Sequence, residues 1–328
     1  MPSLRPATVT VAALVAVLVG GCSSVISVDL SPRIRPLAEE TVEGRGAAKI
    51  VLMDVAGLLS DEGTTPILSL GTPPPRVPML VRIREELKKA EEDRRVKALI
   101  LRINSPGGTV TASDIVYREL QLFKERTRLP IVAALMDVAA SGGYYIALAA
   151  DSIVAHPTTV TGSIGTVMLT VNAQGLMQKL GVATLAIKSA EHKDMGSPFR
   201  ALTPEERAIF QSVIDDLQGQ FLAKVIERRR IEPDAARKLA DGRVYTASQA
   251  LALRLVDRIG YMNDVVALAQ KAAGVDEARV IVYHRPRQYR ATYYARAEES
   301  PLGGLDASLA QIAAVAGSGP KFLYLWSP

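Results

Sequence analysis

The sequence predicts an α/β protein with a parallel sheet and additional helices in its C-terminal half. Apolar runs rich in β-branched residues recur along the chain, and several lead through turn residues into stretches with helical periodicity. A strand that is apolar throughout is typical of a parallel sheet, because both of its faces are covered. The chain has 328 residues, 48% of them hydrophobic and 22% charged. This length fits one domain with appendages and equally fits two domains.

The N-terminus has the pattern of an export signal that ends at a cysteine. Residues 7–19 follow Arg5 and are apolar or small apart from two threonines, and Val19-Gly20-Gly21-Cys22 comes next. This run resembles the lipobox of bacterial lipoproteins, in which the cysteine is diacylated and becomes the new N-terminus after cleavage. We therefore expect residues 1–21 to be a lipoprotein signal peptide and residues 22–47 to be a tether lipidated at Cys22. An ordinary secretory signal with an incidental cysteine is the alternative.

The predicted domain, residues 48–284, begins with two strands and two helices. A strand is predicted at residues 49–55 and a helix with one apolar stripe at residues 79–93, joined by a long surface loop over residues 57–77. The next strand, residues 97–103, ends in Asn104-Ser105-Pro106-Gly107-Gly108-Thr109 before a helix at residues 113–124. Paired glycines let the backbone approach a ligand closely. The Gly108 amide is therefore a candidate oxyanion donor, although Pro-Gly-Gly on its own is simply a turn.

The third strand, residues 130–136, leads to the only serine in the run Val138-Ala139-Ala140-Ser141-Gly142-Gly143-Tyr144-Tyr145. A serine at a strand-to-helix turn can be a nucleophile, and the first amides of the helix can face a developing oxyanion. The same serine can equally be a helix N-cap beside glycines chosen for a tight turn. This stretch alone does not decide between a nucleophile and a helix N-cap.

The remaining elements follow from residue 152 onward, and the apolar stripe of the long helix among them is assigned to the core. Strands are predicted at residues 152–155, 184–187 and 279–283, and helices at residues 174–180, 204–230, 233–240, 247–253 and 262–273. The turn Thr161-Gly162-Ser163-Ile164-Gly165 lies among them. Residues 285–328 are predicted to be a solvated tail that is basic at first and ends in Phe322-Leu323-Tyr324-Leu325-Trp326. Contact of its basic segment with anionic lipid head groups is the alternative.

A nucleophilic Ser141 needs a base to take its proton, and the residues leave three candidates. His192 is the best placed of the three histidines for a triad. Lys188 and Lys193 are the candidates for a lysine base, and the spacing does not choose between them. A lysine base works near neutral pH when its pKa is lowered by roughly 3 units, which requires burial.

Several of these runs together resemble the signal peptide peptidase A family of bacterial serine proteases. The resemblance extends from about Ile50 to Gly260, and the matching motifs occur in the family's order: Asn104-Ser105-Pro106-Gly107-Gly108, Ala140-Ser141-Gly142-Gly143-Tyr144-Tyr145-Ile146-Ala147, Thr161-Gly162-Ser163-Ile164-Gly165, His192-Lys193-Asp194 and Asp241-Gly242-Arg243-Val244-Tyr245. It implies a Clp protease/crotonase-like spiral of βα units with a parallel sheet.

The resemblance also implies the site residues. It assigns the nucleophile to Ser141 and the base to Lys193, which together form a Ser-Lys dyad. It assigns the orientation of the lysine amine to Ser163 and the oxyanion amides to Gly108 and Gly142. It requires no cofactor and no metal.

The function expected from these residues is that of a membrane-anchored serine endopeptidase. Its substrates would be signal-peptide-like or unfolded segments, and it would assemble into a homo-oligomeric ring or dome. We expect it in the bacterial cell envelope, facing the periplasm or the exterior, and Ser23 after Cys22 favours the outer membrane. The alternatives are a catalytically silent lipoprotein scaffold and a crotonase-like acyl-CoA enzyme. Nucleic acid is not an expected partner, because the only basic run, Arg228-Arg229-Arg230, ends a predicted helix.

Overall fold

The computed structural model describes residues 36–60, 77–285 and 321–326. Its strands are β1 Ala38–Glu43, β2 Lys49–Ala56, β3 Val96–Ser105, β4 Gly107–Thr109, β5 Ile131–Ala140, β6 Ser152–Ala155, β7 Val160–Gly162, β8 Val167–Leu169, β9 Val244–Thr246, β10 Arg258–Ile259, β11 Arg279–His284 and β12 Lys321–Leu325. The central sheet has the order β1-β11-β2-β3-β5-β6-β10, and β7 pairs with β5 and β9. Neighbouring strands from β11 to β10 are parallel. The predicted α/β class with a parallel sheet is confirmed.

Helices cover both faces of this sheet. The helices of the described residues are α1 Met79–Glu92, α2 Val110–Thr127, α3 Gly142–Ala147, α4 Gln174–Lys179, α5 Pro204–Arg229, α6 Pro233–Leu239, α7 Ala247–Ala252 and α8 Met262–Ala273. Alternate residues of β2 enter different cores, because side chains along a strand point to opposite faces. Val51 and Met53 pack on the side of α1, α2 and α3, whereas Ile50 and Leu52 pack on the side of α8. Burial on both faces explains why this strand is apolar throughout.

The topology brings two turns to the same edge of the sheet. The parallel neighbours β3 and β5 end at one edge, where the register pairs Ser105 with Ala139. Gly107 follows β3 after Pro106, and Ser141 directly follows β5. The glycine turn and the serine turn are therefore adjacent, although they are far apart in sequence.

The end of the chain forms a second, smaller sheet at this edge. Strand β12 pairs antiparallel with β4 on one side and with β8 on the other. The expectation of a solvated tail is therefore wrong for Lys321–Leu325, because Leu323 and Tyr324 are both about 1% exposed. Residues 286–320 lie outside the described residues.

Two other expectations need correction. The predicted tether over residues 22–47 includes β1, which pairs antiparallel with the edge strand β11. The predicted strand at residues 184–187 does not form, and its Leu185 and Ile187 are 88% and 96% exposed. An alternating apolar pattern gives a strand only where a neighbouring strand is available to pair with it.

The predicted signal peptide, residues 1–21, and the predicted lipidation site Cys22 lie outside the described residues. So do residues 61–76 of the predicted surface loop. Within the ranges that the structure describes, no helix has both the length and the apolar character needed to cross a bilayer. The predicted domain boundaries stay a prediction.

Candidate active site

Ser141 occupies the junction between β5 and α3 in a backbone conformation that is rare for a residue with a side chain. Its φ is 53° and its ψ is −117°. Its amide donates to the Gly162 carbonyl at 2.7 Å, and its carbonyl accepts from the Tyr145 amide at 2.8 Å. The side chain is fully buried, and its Oγ has no hydrogen-bond partner among the described residues. A buried hydroxyl without a partner is costly in a folded protein, so this one has a role beyond packing.

We expect Ser141→Gly to be more stable than Ser141→Ala. Positive φ strains any residue with a Cβ, at a cost of about 1–3 kcal/mol, and glycine escapes that strain. Thermal unfolding of the two variants measures the difference, which should favour glycine by about 1 kcal/mol, or roughly 2–4 °C. Equal melting temperatures would show that the serine backbone is not strained.

The glycines of β4 form a cradle directly beside Ser141. A Cβ on Gly142 would lie 3.2 Å from the Gly107 Cα, so the two turns are in contact. On the other side of β4, the Leu59 amide donates to the Gly107 carbonyl at 2.8 Å, and the Thr109 amide donates to the Leu59 carbonyl at 2.8 Å. The Gly108 amide therefore faces away from Leu59, toward β12.

Strand β12 places a peptide carbonyl in this cradle. The register pairs Tyr324 with Gly108, and two residues further on the Trp326 amide donates to the Pro106 carbonyl at 2.8 Å. Hydrogen-bonded pairs recur every second residue in an antiparallel ladder, so the Gly108 amide is directed at the Tyr324 carbonyl. A Cβ on Gly107 would collide with this carbonyl oxygen, and one on Gly142 would lie 3.1 Å from it. Both candidate oxyanion residues thus flank a carbonyl of the protein's own chain.

Ser163, the residue expected to orient the lysine, is also close to Ser141 along the sheet. The β5–β7 register pairs Ala140 with Gly162, which places the next residue of each strand side by side. Ser163 is 6% exposed, has a φ of 49°, and donates its amide to the Arg243 carbonyl at 2.8 Å. The structure thus brings four of the predicted site residues together: Gly108, Ser141, Gly142 and Ser163.

Lys193 is not among them within one chain. It lies in a short 3₁₀ turn, Glu191–Asp194, and is exposed. Because Ser141 Oγ has no partner among the described residues, neither Lys193 Nζ nor a His192 ring nitrogen is within hydrogen-bond distance of it. The segment from residue 167 to residue 199, here called the arm, connects β7 to α5 and carries a set of exposed apolar side chains: Leu169, Val171, Leu176, Leu180, Val182, Leu185, Ile187 and Phe199.

An ion-pair cluster holds the turn that carries Lys193. Lys188 Nζ contacts Asp194 Oδ1 at 2.7 Å, so this lysine is paired with a carboxylate. Arg200 also contacts Asp194, at 2.8 Å, and it bridges to Glu206 in the first turn of α5. These cations hold the pKa of Asp194 well below its usual range. The cluster ties the turn to a long helix and gives Lys188 a structural role.

The charge on Glu206 should stabilise the protein in a pH-dependent way. Hydrogen bonds from Arg200 and from the Thr203 amide lower the pKa of Glu206 from 4.5 to about 2. Since the pKa is lower in the folded state, the stabilisation is complete above pH 4.5 and is lost as the pH falls toward 2. We expect Glu206→Gln, which keeps the capping box, to melt below the wild type at pH 7 and together with it near pH 2. An equal deficit at both pH values would contradict this.

Sequence reasoning missed the strand β12 and the burial of its Tyr324 side chain. The signal was present in the alternating apolar and aromatic residues that end the chain. Their pairing partner, β4, is a three-residue segment read as a turn. No local pattern connects two segments so far apart in sequence.

The fold and the strained serine beside glycine amides define an α/β serine hydrolase. Residues 124–276 match the model of Peptidase family S49, and residues 74–161 match that of Clp protease. The chain is similar to a putative signal peptide peptidase of Enterococcus faecium, with 36% identity over 248 residues that cover 75% of this chain and 70% of the relative. It is also 41% identical over 192 residues to a putative protease of Synechocystis, covering 58% of this chain and 69% of that protein.

The chain belongs to Peptidase family S49 and is a serine endopeptidase. A third relative, a chloroplastic serine protease of Arabidopsis thaliana, is 36% identical over 192 residues, which cover 58% of this chain and 28% of that protein. The resemblance found in the sequence motifs is thereby confirmed. The scaffold and the acyl-CoA alternatives gain no support from these relatives.

Proposed function

We propose that this protein is an endopeptidase that binds extended peptides as an added strand on β4 and cleaves them through Ser141 and Lys193. The main observation in support is the position of the Tyr324 carbonyl. It lies against Gly108 and against Gly142, and Gly142 is the residue that follows Ser141. Strand addition uses main-chain hydrogen bonds, which any extended segment can make. An unfolded or signal-peptide-like segment fits this mode of binding, whereas a folded domain does not.

In the proposed reaction, Ser141 Oγ attacks the substrate carbonyl while the neutral Lys193 amine takes its proton. The Gly108 and Gly142 amides stabilise the oxyanion of the tetrahedral intermediate. The resulting ammonium gives the proton to the leaving amine, which departs as the acyl-enzyme forms. A water molecule, deprotonated by the same amine, then attacks the acyl carbon; the ester bond to Ser141 Oγ breaks, and the ammonium returns the proton to that oxygen. Ser163 holds the amine in the correct direction and is a positioning residue.

We propose that Lys193 reaches Ser141 of a neighbouring subunit. Within one chain, the Ser141 hydroxyl has no partner among the described residues, and the arm that carries Lys193 is exposed. Fully exposed apolar side chains such as Leu185 and Ile187 are typical of a surface that another protein covers. A ring or dome of identical subunits would cover the arm and would remove water from the amine. That desolvation favours the neutral form a base needs.

The anchor proposed for this enzyme is the diacylated Cys22, with Ser23 favouring the outer membrane. Two acyl chains hold a protein stably at a bilayer. The catalytic domain would then face the periplasm or the exterior of a bacterial cell envelope. Mass spectrometry of the mature N-terminus tests this: a diacylated Cys22 supports the anchor, and an unmodified mature cysteine contradicts it.

The peptidase proposal is tested by hydrolysis of an unfolded protein and of short peptides. Wild type should cleave both, and Ser141→Ala should lose at least about 10³-fold in kcat/KM. Lys193→Ala should lose a similar amount, whereas Lys179→Ala, another exposed lysine of the arm, should retain activity. Hydrolysis at the wild-type rate by both Ser141→Ala and Lys193→Ala would rule out the dyad.

A further inference from the structure

A cavity of about 610 Å³ lies at the edge of the sheet opposite Ser141. Its walls include Ile153, near the start of β6, and Asp257, directly before β10, and these two strands run parallel. Strand β6 is also parallel to β5, which ends next to Ser141. The cavity therefore lies where the strands begin, whereas the active site lies where they end. It is separate from the site described above.

Four of the described residues that line this cavity are arginines, and two helices supply them. Arg228 and Arg229 are the last residues of α5, Arg230 follows them, and Arg254 lies two residues after α7. Cations are favourable at helix C-termini, because the carbonyl groups there carry partial negative charge. The contacts of each side chain show which arginines serve that purpose.

Two of these arginines hold the helix ends in place. Arg228 Nε donates to the Leu148 carbonyl at 2.8 Å, just after α3. Arg229 Nη2 contacts Asp257 Oδ1 at 2.7 Å, and its Nε donates to the Arg254 carbonyl at 2.8 Å. Both guanidinium groups thus satisfy acceptors of the protein itself, which gives them a structural role.

Arg230 and Arg254 do not have such a role. Both are exposed, and neither side chain has a hydrogen bond or an ion pair among the described residues. Their backbones are left-handed, with φ of 52° and 59°. Helix α8 ends in the same conformation at Gly274, and glycine is the residue that this conformation favours. Arginine at either position therefore strains the backbone without a compensating side-chain contact in the same part of the chain.

The charge around the cavity is positive once the internal ion pairs are set aside. Of the lining carboxylates, Asp151 contacts Lys124 at 2.5 Å, and Asp257 contacts Arg229 at 2.7 Å. Glu227 is the one lining carboxylate of the described residues that has no ion pair. The other three arginines outweigh its charge. An anion that enters the cavity therefore meets an excess of positive charge.

We propose that this cavity binds a phosphate group through the guanidinium groups of Arg230 and Arg254. A guanidinium group presents paired N–H donors that match two phosphate oxygens, and two such groups suit a dianion. The cavity is larger than a single phosphate ion, so the phosphate group fits there as part of a soluble phosphate compound or as the headgroup of a phospholipid. This inference does not depend on the proposed peptidase activity.

Isothermal titration calorimetry of the full-length protein tests this with two probes. Inorganic pyrophosphate represents soluble phosphate compounds, and glycerophosphoglycerol represents the headgroup of an anionic phospholipid. We expect at least one probe to bind, at one site per chain, with a Kd below about 1 mM in about 0.15 M salt. Tighter binding of pyrophosphate indicates a soluble ligand, and tighter binding of glycerophosphoglycerol indicates a membrane lipid. No saturable binding of either probe would overturn the inference.

Replacement of each of the two arginines by glycine separates a binding role from a structural one. In Arg230→Gly and in Arg254→Gly, the affinity for the probe should fall at least about tenfold, because charge-assisted hydrogen bonds are lost. The melting temperature should nevertheless rise by about 1–3 °C, because glycine relieves the left-handed backbone. An unchanged affinity would overturn the inference, and a lower melting temperature alongside it would assign both arginines to the helix ends.

Arg128 provides the matched control. It ends α2 in the same left-handed conformation, with a φ of 60°, and it is exposed, but it is not among the residues that line the cavity. Arg128→Gly should show a similar gain in melting temperature and should keep the probe affinity within about twofold. A loss of affinity as large as that in Arg230→Gly would show that the probe responds to the overall charge of the protein, and it would overturn the cavity as the binding site.

Discussion

Mixing two inactive variants, Ser141→Ala and Lys193→Ala, should restore activity to about a quarter of the wild-type level if the subunits assemble at random in a ring. Each restored site would combine an intact serine from one subunit with an intact lysine from its neighbour. The reason is structural: Ser141 Oγ has no partner among the described residues of its own chain, and Lys193 is exposed on the arm. The measurement is kcat/KM for a peptide after subunit exchange.

The matched control is the double variant Ser141→Ala/Lys193→Ala mixed with Ser141→Ala. This mixture contains no intact serine, so it should stay inactive. Exchange is verified by native mass spectrometry of subunits that differ in a tag. If exchange occurs and the first mixture stays inactive, Lys193 does not act on a neighbouring subunit.

Removing residues 321–328 should raise kcat/KM for short peptides by about tenfold or more, because β12 occupies the surface where a substrate strand would bind. A segment tethered to its own site competes at an effective concentration near millimolar. Strand β12 covers β4 along its whole length and buries Tyr324 beside Gly142. The measurement is kcat/KM of the truncated and full-length proteins for the same peptide.

A shorter truncation is the control for this experiment. A chain that ends at Trp326 retains β12 and the hydrogen bond from Trp326 to the Pro106 carbonyl, so it should behave as the full-length protein does. Circular dichroism must show that the longer truncation still folds, because Leu323 and Tyr324 are buried. Lower activity in a folded truncated protein would mean that the tail completes the site.

The central strands and the serine turn were predictable from the sequence because their signals are local. The apolar runs of β2, β3 and β5 follow from burial on both faces. Ser141 stands directly after β5, and Gly107 stands two residues after the end of β3. Parallel strands that are neighbours in a sheet end at a common edge. The candidate roles of Gly108, Ser141 and Gly142 follow from these local signals, whereas the role of Ser163 is implied only by the family resemblance.

The parts that were not predictable depend on pairing between distant segments or between chains. Strand β12 pairs with β4 and β8. The residue patterns of the three strands do not specify that they pair with one another. At residues 184–187 the same kind of pattern predicts a strand, but no strand among the described residues pairs with it. A pattern of alternating side chains indicates a buried face without saying what buries it.

The most direct test of the account is the mass of the protein after reaction with a serine-directed acylating inhibitor, followed by peptide mapping. The account predicts one adduct per chain, on Ser141, formed rapidly in the wild type and at least about 10³-fold more slowly in Lys193→Ala. An adduct on another serine, or equal rates of Ser141 labelling with and without Lys193, would contradict it.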